Sequence, residues 1–133
     1  MRRRVREARV GRLGTIDGRG RPHLVPFVFA IEGDTLYSPV DRKPKTTTEL
    51  QRMKNLRANP AATVLVDHYE EAWERVWWVR LRGRGRILEP GTEEFARAER
   101  LLEAKYDQYR GQGPQAGMIA MDVEDWLGWS YSP

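Results

Sequence analysis

The sequence predicts a mainly β protein, an antiparallel barrel of six strands with helices at its periphery. Three observations carry that expectation. Short apolar segments follow one another across tight, glycine-bearing turns. Two helical segments interrupt them in the order strand-strand-strand-helix-strand-strand-helix-strand, which is not the βαβ alternation of a parallel sheet. A long strand-like run carries Gly83 and Gly85 where a small barrel has to curl.

The first strand is expected within Ala8 to Asp17 and ends at the turn Asp17-Gly18-Arg19-Gly20. The run RPHLVPFVFAIEG follows as one strand. His23, Val25, Phe27, Phe29 and Ile31 share one face, while Leu24, Pro26, Val28 and Ala30 share the other. Both faces are largely apolar, which predicts cover on both sides. Pro22 and Pro26 cannot donate to a ladder and point to an edge or an irregular stretch. Glu32-Gly33-Asp34 makes the next turn, and Thr35 to Val40 the third strand.

Thr46-Thr47-Thr48-Glu49 has the spacing of a capping box, and Leu50, Met53 and Leu56 continue at helical spacing. Asn59-Pro60 stops this helix. Strands are expected at Ala61 to Tyr69 and, after the acidic connection EEAWE, at Arg75 to Glu89. A second helix runs from Thr92 to Tyr109, with Phe95, Ala98, Leu102, Tyr106 and Tyr109 on one stripe. The last strand is AGMIAMDV, and the chain closes on DWLGWSYSP.

The 133 residues suit one core, so residues 1–133 are expected to form a single domain. A hydrophobic fraction of 40% beside a charged fraction of 32% describes a soluble chain. No apolar run approaches the roughly 20 residues that cross a bilayer, and no apolar segment follows the basic MRRRVREARV as a secretory signal would require. A cytoplasmic location without membrane contact is therefore expected. The net charge of +4 favours anionic partners.

With two histidines and no cysteine, a zinc site is not expected, and Ser38 sits in no nucleophile elbow. Two constellations stand out instead. Lys43, Pro44, Lys45 and Thr46 precede a helix, where free N–H groups attract an oxyanion; a simple cap with lysines in water is the plainer reading of the residues alone. Trp77 and Trp78 are adjacent in a strand and face opposite ways. One can fill the barrel; the other must meet a second subunit, a planar ligand or the second helix. Arg80, Arg82, Arg84 and Arg86 project from one strand face, but no nucleic-acid signature accompanies them and no nucleic-acid partner is expected.

The motifs G-R-P-H-L-V-P from Gly20, V-D-R-K-P-K from Val40, L-V-D-H-Y from Leu65 and W-W-V-R from Trp77, with the WLGWS ending, carry a resemblance over nearly the whole chain. Together they resemble the pyridoxamine-phosphate-oxidase-like split β-barrel superfamily and, within it, the actinobacterial coenzyme F-420-dependent enzymes. The resemblance implies a homodimer with two cofactor sites between subunits. It implies that His23, Leu24, Val25 and Pro26 run beside a deazaflavin ring through their main chain, and that Ser38, Pro39 and Val40 line the site. It places the phosphate end at Lys43, Pro44, Lys45 and Thr46, which favours the cradle over the simple cap. One of the paired tryptophans, assigned to Trp78 and contributed by the other subunit, would wall the ring or substrate pocket.

The implied activity is hydride transfer between the reduced deazaflavin and a small electron-poor acceptor. An FMN-dependent oxidoreductase of the same fold and a non-catalytic ligand-binding protein are the alternatives. Relatives carry more chain ahead of the first strand, so a covering N-terminal helix is not expected here.

Overall fold

A computed structural model of the chain describes residues 1–40, 47–110 and 117–133, with the side chains of residues 47–50 set aside. The elements are α1 (Arg2–Glu7), β1 (Gly11–Ile16), β2 (Pro22–Phe27), β3 (Ala30–Glu32), β4 (Thr35–Val40), α2 (Thr47–Ala58), β5 (Ala61–His68), β6 (Trp77–Leu88), α3 (Glu93–Lys105) and β7 (Gly117–Ser130). All neighbouring strands are antiparallel, in the order β2-β1-β5-β6-β7-β4-β3. The two open edges, β2 and β3, are consecutive in the chain. The sheet therefore curls until a two-residue corner, Val28 and Phe29, joins its own edges without a ladder between them.

The sequence expected six strands and the structure has seven, because RPHLVPFVFAIEG breaks at that corner. No glycine marks the break. Side chains from elsewhere make it: Ser38 Oγ donates to Val28 O at 2.9 Å, Lys105 Nζ donates to Phe29 O at 2.8 Å, and Phe29 N donates to Tyr106 Oη at 3.3 Å. Tyr106 Oη also lies 3.0 Å from Phe29 O and 2.9 Å from Arg9 O, either of which can accept its proton. The second predicted helix ends early for the same reason. At Tyr106 the backbone turns extended, φ −123, and the ring turns inward towards the corner.

The inner face of the sheet holds Leu13, Val25, Phe27, Leu36, Val64, Val66, Val79, Leu81, Ile119 and Met121. Two helices contribute to that core from opposite ends of the barrel. Val5 of α1 is fully buried beside the end at Trp77, and Leu56 of α2 packs over Gly85, where an added Cβ would come within 2.6 Å of the leucine. The helix α1 was not expected; its six residues are held by Val5 and by Arg2, which pairs with Asp34 at 2.8 Å and lies 4.3 Å from the Trp126 ring. On the outer face, α3 covers only the β3–β4 side, through Phe95, Ala98 and Leu102 against Tyr37, Met118 and Ala120.

The last strand runs through Ser130, seven residues beyond its expected end at Val123. The acidic pair Glu124-Asp125, which reads as a terminus, is the site of a bulge: Arg82 faces Asp125, the next residue Gly83 faces Val123, and Glu124 is extra. Here glycine is required, since a Cβ on Gly83 would lie 2.0 Å from Asp122 O. Gly83→Ala should lower stability by about 1–3 kcal/mol, read as a reduced urea midpoint; an unchanged midpoint would mean that the bulge relaxes freely.

Candidate functional site

The strand implicated by the sequence lies on an open edge. β2 pairs with β1 from Gly11↔Phe27 to Ile16↔Pro22, and its other side is unpaired. An unbroken ladder through Pro22 and Pro26 places both prolines, and Leu24 between them, at positions whose amide groups point away from β1. The edge therefore offers Leu24 N–H and C=O to whatever lies beside it. Val25 is buried in the core. His23, half-buried, shares its inward face opposite Thr15, and its Nδ1 is out of solvent with no hydrogen-bond partner among the described residues. Leu24 and Pro26 are exposed, which corrects the expectation of cover on both faces: among the described residues that face is covered at Val28 and Ala30, under α3, and not at Leu24 and Pro26.

Ser38, Pro39 and Val40 are buried, and the Ser38 hydroxyl is engaged by the Val28 carbonyl. Lys43, Pro44, Lys45 and Thr46 lie outside the described residues. The described elements on either side in the chain are β4 and α2. Buried Asn55 donates to Thr15 Oγ1 at 3.0 Å and accepts from Gln51 Nε2 at 2.7 Å, fastening α2 to β1 next to the His23 end of β2. Arg52, one turn into α2, is buried as well.

Trp77 and Trp78 divide as expected. Trp77 packs against the inner core, with the Arg4 guanidinium 5.1 Å from its ring. Trp78 is on the outer face, half-buried, opposite Asp67 of β5 and Trp129 of β7. A cleft of about 210 Å³ opens beside it, lined also by Met1, Arg4 and Trp129. Three strand spacings separate β6 from β2, roughly 14 Å. A single chain does not bring Trp78 to the His23–Pro26 edge.

The outer face contains residues the sequence reading did not single out. Reading across β2, β1, β5, β6 and β7, the register aligns Pro26, Arg12, Leu65, Arg80 and Leu127 in one row. The adjoining row is Leu24, Gly14, Thr63, Arg82 and Asp125. Leu24 is 73% exposed, Leu65 37%, Leu127 44% and Trp129 46%, so the face exposes large apolar side chains interleaved with arginines. The available signal was the alternation D-W-L-G-W, which puts Asp125, Leu127 and Trp129 on one side if the strand continues.

The four alternating arginines are not equivalent. Arg86 is held in a fork, Nη1 and Nη2 donating to Glu94 at 2.7 and 2.8 Å and Nε donating to Asp122 at 2.8 Å. The two bonds from Arg86, with one from Tyr37 Oη at 2.8 Å, hold the Glu94 carboxyl down at about 2. Arg80, Arg82 and Arg84 form no ion pair among the described residues, and Arg80 Nε is buried without an acceptor. At the corner, burial and the neighbouring Arg9 lower the Lys105 ammonium to about 8. Among the described residues no cluster of three or more histidine, aspartate or glutamate side chains could hold a metal, and no helix is long and apolar enough to cross a membrane.

A family model described as pyridoxamine 5'-phosphate oxidase matches residues 1–130. The chain belongs to the pyridoxamine 5'-phosphate oxidase family. Among solved structures, a putative 5-nitroimidazole antibiotic resistance protein from Bacteroides thetaiotaomicron is similar at 18% identity and TM-score 0.75, over 96% of this chain and 80% of that one. The heme storage protein HutZ from Vibrio cholerae is similar at 14% identity and TM-score 0.72, over 97% and 90%. An FAD-binding protein from Mesorhizobium loti is similar at 22% identity and TM-score 0.64, over 96% and 89%. At these identities the likeness establishes the split-barrel fold that this family shares. No curated protein matches the chain in sequence.

The Arg86 fork gives the folded chain a defined acid sensitivity. Glu94 titrates lower folded than its ordinary 4.5, and Asp122 is lowered too, chiefly by Arg86. The stabilisation is therefore complete above about pH 4.5 and is lost as pH falls towards 2. Glu94→Gln should flatten that part of the urea-midpoint profile; an unaltered acid limb would show that the fork contributes nothing.

Proposed function

We propose that the protein is a homodimeric oxidoreductase that uses coenzyme F-420, with its two sites formed between subunits. The observation that carries this reading is the open β2 edge, with Leu24 and Pro26 exposed beside an outer face that carries exposed leucines and arginines without an ion pair among the described residues. An edge of free amide groups suits the polar rim of a flat heterocycle, and an exposed apolar sheet suits a second subunit. The distance between β2 and Trp78 within one chain supports a composite site, in which the partner subunit's Trp78 closes over the edge.

The residues present fit an anionic flavin-like cofactor. Lys43, Pro44, Lys45 and Thr46 would hold the phosphate ahead of α2, where helix N–H groups add to the lysine charge. Within His23, Leu24, Val25 and Pro26, the outward main-chain groups of Leu24 and Pro26 would orient the ring while His23 and Val25 stay in the ladder with β1, and Ser38, Pro39 and Val40 would form the wall behind it. When bound, the deazaflavin supplies the hydride chemistry. The chain supplies orientation, phosphate charge neutralisation and an apolar surface from which water is excluded. The substrate class is a small electron-poor organic acceptor. An FMN-dependent enzyme is the second reading, favoured by the structural likeness to a protein described as FAD-binding.

Titration of the purified protein with coenzyme F-420, and in parallel with FMN, should show quenching by the deazaflavin at lower concentration. The reverse preference would move the enzyme to the flavin branch. Lys43→Ala with Lys45→Ala should weaken cofactor binding at least tenfold while leaving the urea midpoint in place, and equal affinity would remove the cradle. In sedimentation with cofactor present the wild type should be a dimer, and Leu65→Glu with Leu127→Glu a monomer of unchanged circular dichroism. A monomeric wild type that still binds cofactor tightly would overturn the composite site.

A further inference from the structure

The connection between β5 and β6, together with the end of β7, carries aromatic side chains that the fold does not use. Tyr69, Trp73 and Tyr131 are each more than half exposed, and Trp129 nearly so. The register collects them at one end of the sheet. Asp67 faces Trp78 and Trp78 faces Trp129, while in the next row His68 faces Trp77 and Trp77 faces Ser130. Tyr131 follows directly, its N–H donating to Val76 O at 3.1 Å. None of the four rings has an aromatic or cationic partner among the described residues. Large aromatic side chains left bare together mark a surface for something outside the chain.

Charge selects what that is. From Asp67 to Arg75 the connection holds Asp67, Glu70, Glu71 and Glu74 against Arg75, with His68 neutral. Three negative charges are therefore in excess there, in a chain whose net charge is +4. Arg75 and His68 both turn to Glu70, Arg75 at 4.0 Å, and Asp67, Glu71 and Glu74 form no ion pair among the described residues. Of the α1 charges beside Trp77, Arg3 and Glu7 pair with each other at 3.2 Å. The two remaining cations that border this end already lie against tryptophan, Arg4 at 5.1 Å from the Trp77 ring and Arg80 at 5.9 Å from the Trp78 ring. The rings beyond them have carboxylates for neighbours instead. An anion would be repelled, and a neutral ring would leave the carboxylates unused. Open aromatic faces beside carboxylates suit an organic cation.

We infer that Tyr69, Trp73, Trp129 and Tyr131, with the carboxylates of Asp67, Glu71 and Glu74, bind a planar organic cation. Its charge is delocalised over a conjugated ring, since a compact ammonium would leave most of the aromatic area uncovered. In the proposed oxidoreductase this ligand is the acceptor. That role, unlike the binding, rests on the reading of Trp78 as a wall of the site, because Asp67 is the register neighbour of Trp78. A C=N⁺ carbon takes hydride directly: the C–H bond forms, the π electrons return to nitrogen and a neutral amine results. The reduced deazaflavin loses the same two electrons, and the chain need supply no proton.

The test is equilibrium dialysis of the full chain, without cofactor and at low ionic strength, against N-methylquinolinium followed by its absorbance. Quinoline, which is uncharged at neutral pH, 2-naphthoate and tetraarginine are run in parallel. The cation should bind at least tenfold more tightly than quinoline, and 2-naphthoate should not bind. Trp73→Leu should weaken the cation at least fivefold, and so should Glu71→Gln with Glu74→Gln, which should also reduce the salt dependence. All three positions are exposed, so circular dichroism should be unchanged.

Equal affinity for the cation and for quinoline would overturn the inference, since the carboxylates would then contribute nothing. Undiminished binding by Trp73→Leu would also overturn it, by placing the bound cation elsewhere. Binding of tetraarginine and not of N-methylquinolinium would overturn it in favour of a basic peptide. A parallel titration with coenzyme F-420 separates this inference from the proposed function. Cation binding by a chain that ignores the deazaflavin would sustain the inference and remove only the acceptor role. Deazaflavin binding by a chain that ignores the cation would overturn the inference and leave the oxidoreductase standing.

Discussion

The corner at Val28 and Phe29 is the constraint on which the rest of the molecule depends. The two edges of the seven-stranded sheet are joined by these two residues, and no ladder holds the peptide groups of the corner. Three side chains hold them instead: Ser38 from β4, and Lys105 and Tyr106 at the end of α3, all spending their hydrogen bonds on two consecutive peptide units. The Phe29 ring, fully buried and stacked near Phe27 with centroids 5.3 Å apart, anchors the same point from inside. Burying peptide groups away from a ladder is costly unless each finds a partner. Here each does, and α3 acquires its position on the sheet in consequence.

From that corner follows the contrast between the two halves of the outer face. The half on the β3–β4 side is covered by α3 and locked by the Arg86 fork, which joins β6, β7 and α3 through Glu94 and Asp122. The other half, from β2 to the far ends of β6 and β7, has no helix over it among the described residues. One strand thus carries an arginine fixed as internal structure and, two to six residues earlier, arginines that form no ion pair among the described residues. The difference lies in what stands opposite: Glu94 reaches Arg86 from α3, and among the described residues no helix presents a carboxylate to Arg80 or Arg82.

Much of the fold was legible in the sequence because strong local signals decided it. Thr35 to Val40 was bounded by a glycine turn, Asn59-Pro60 ended α2, and Gly83 marked a bulge that only glycine permits. The corner was not legible, since nothing in Val28-Phe29 differs from a continuing strand; its cause is 77 residues away in Tyr106. The reading of Leu24 and Pro26 as covered failed within one chain because apolar residues on an edge look the same as apolar residues in a core. Of the candidate site, the sequence located the β2 edge and the opposed tryptophans, but not Leu65, Leu127 or Trp129, whose alignment exists only once the register of five strands is known. The short helix α1 was missed because a run of arginines gives no apolar stripe; Val5 is its one buried residue, and Arg2 and Arg4 add contacts to the Trp126 and Trp77 rings.

The free edge of β2 has a consequence for behaviour in a crowded solution. An unpaired strand is a template on which other strands can add without limit, the route to fibrils and run-on aggregates. Pro22 and Pro26 lie four residues apart on that edge, and neither can donate to an incoming chain. An adding strand would find only the amide of Leu24 as a donor between them, too little to hold a ladder. The two prolines thus let the barrel keep an edge open for recognition without offering it for polymerisation.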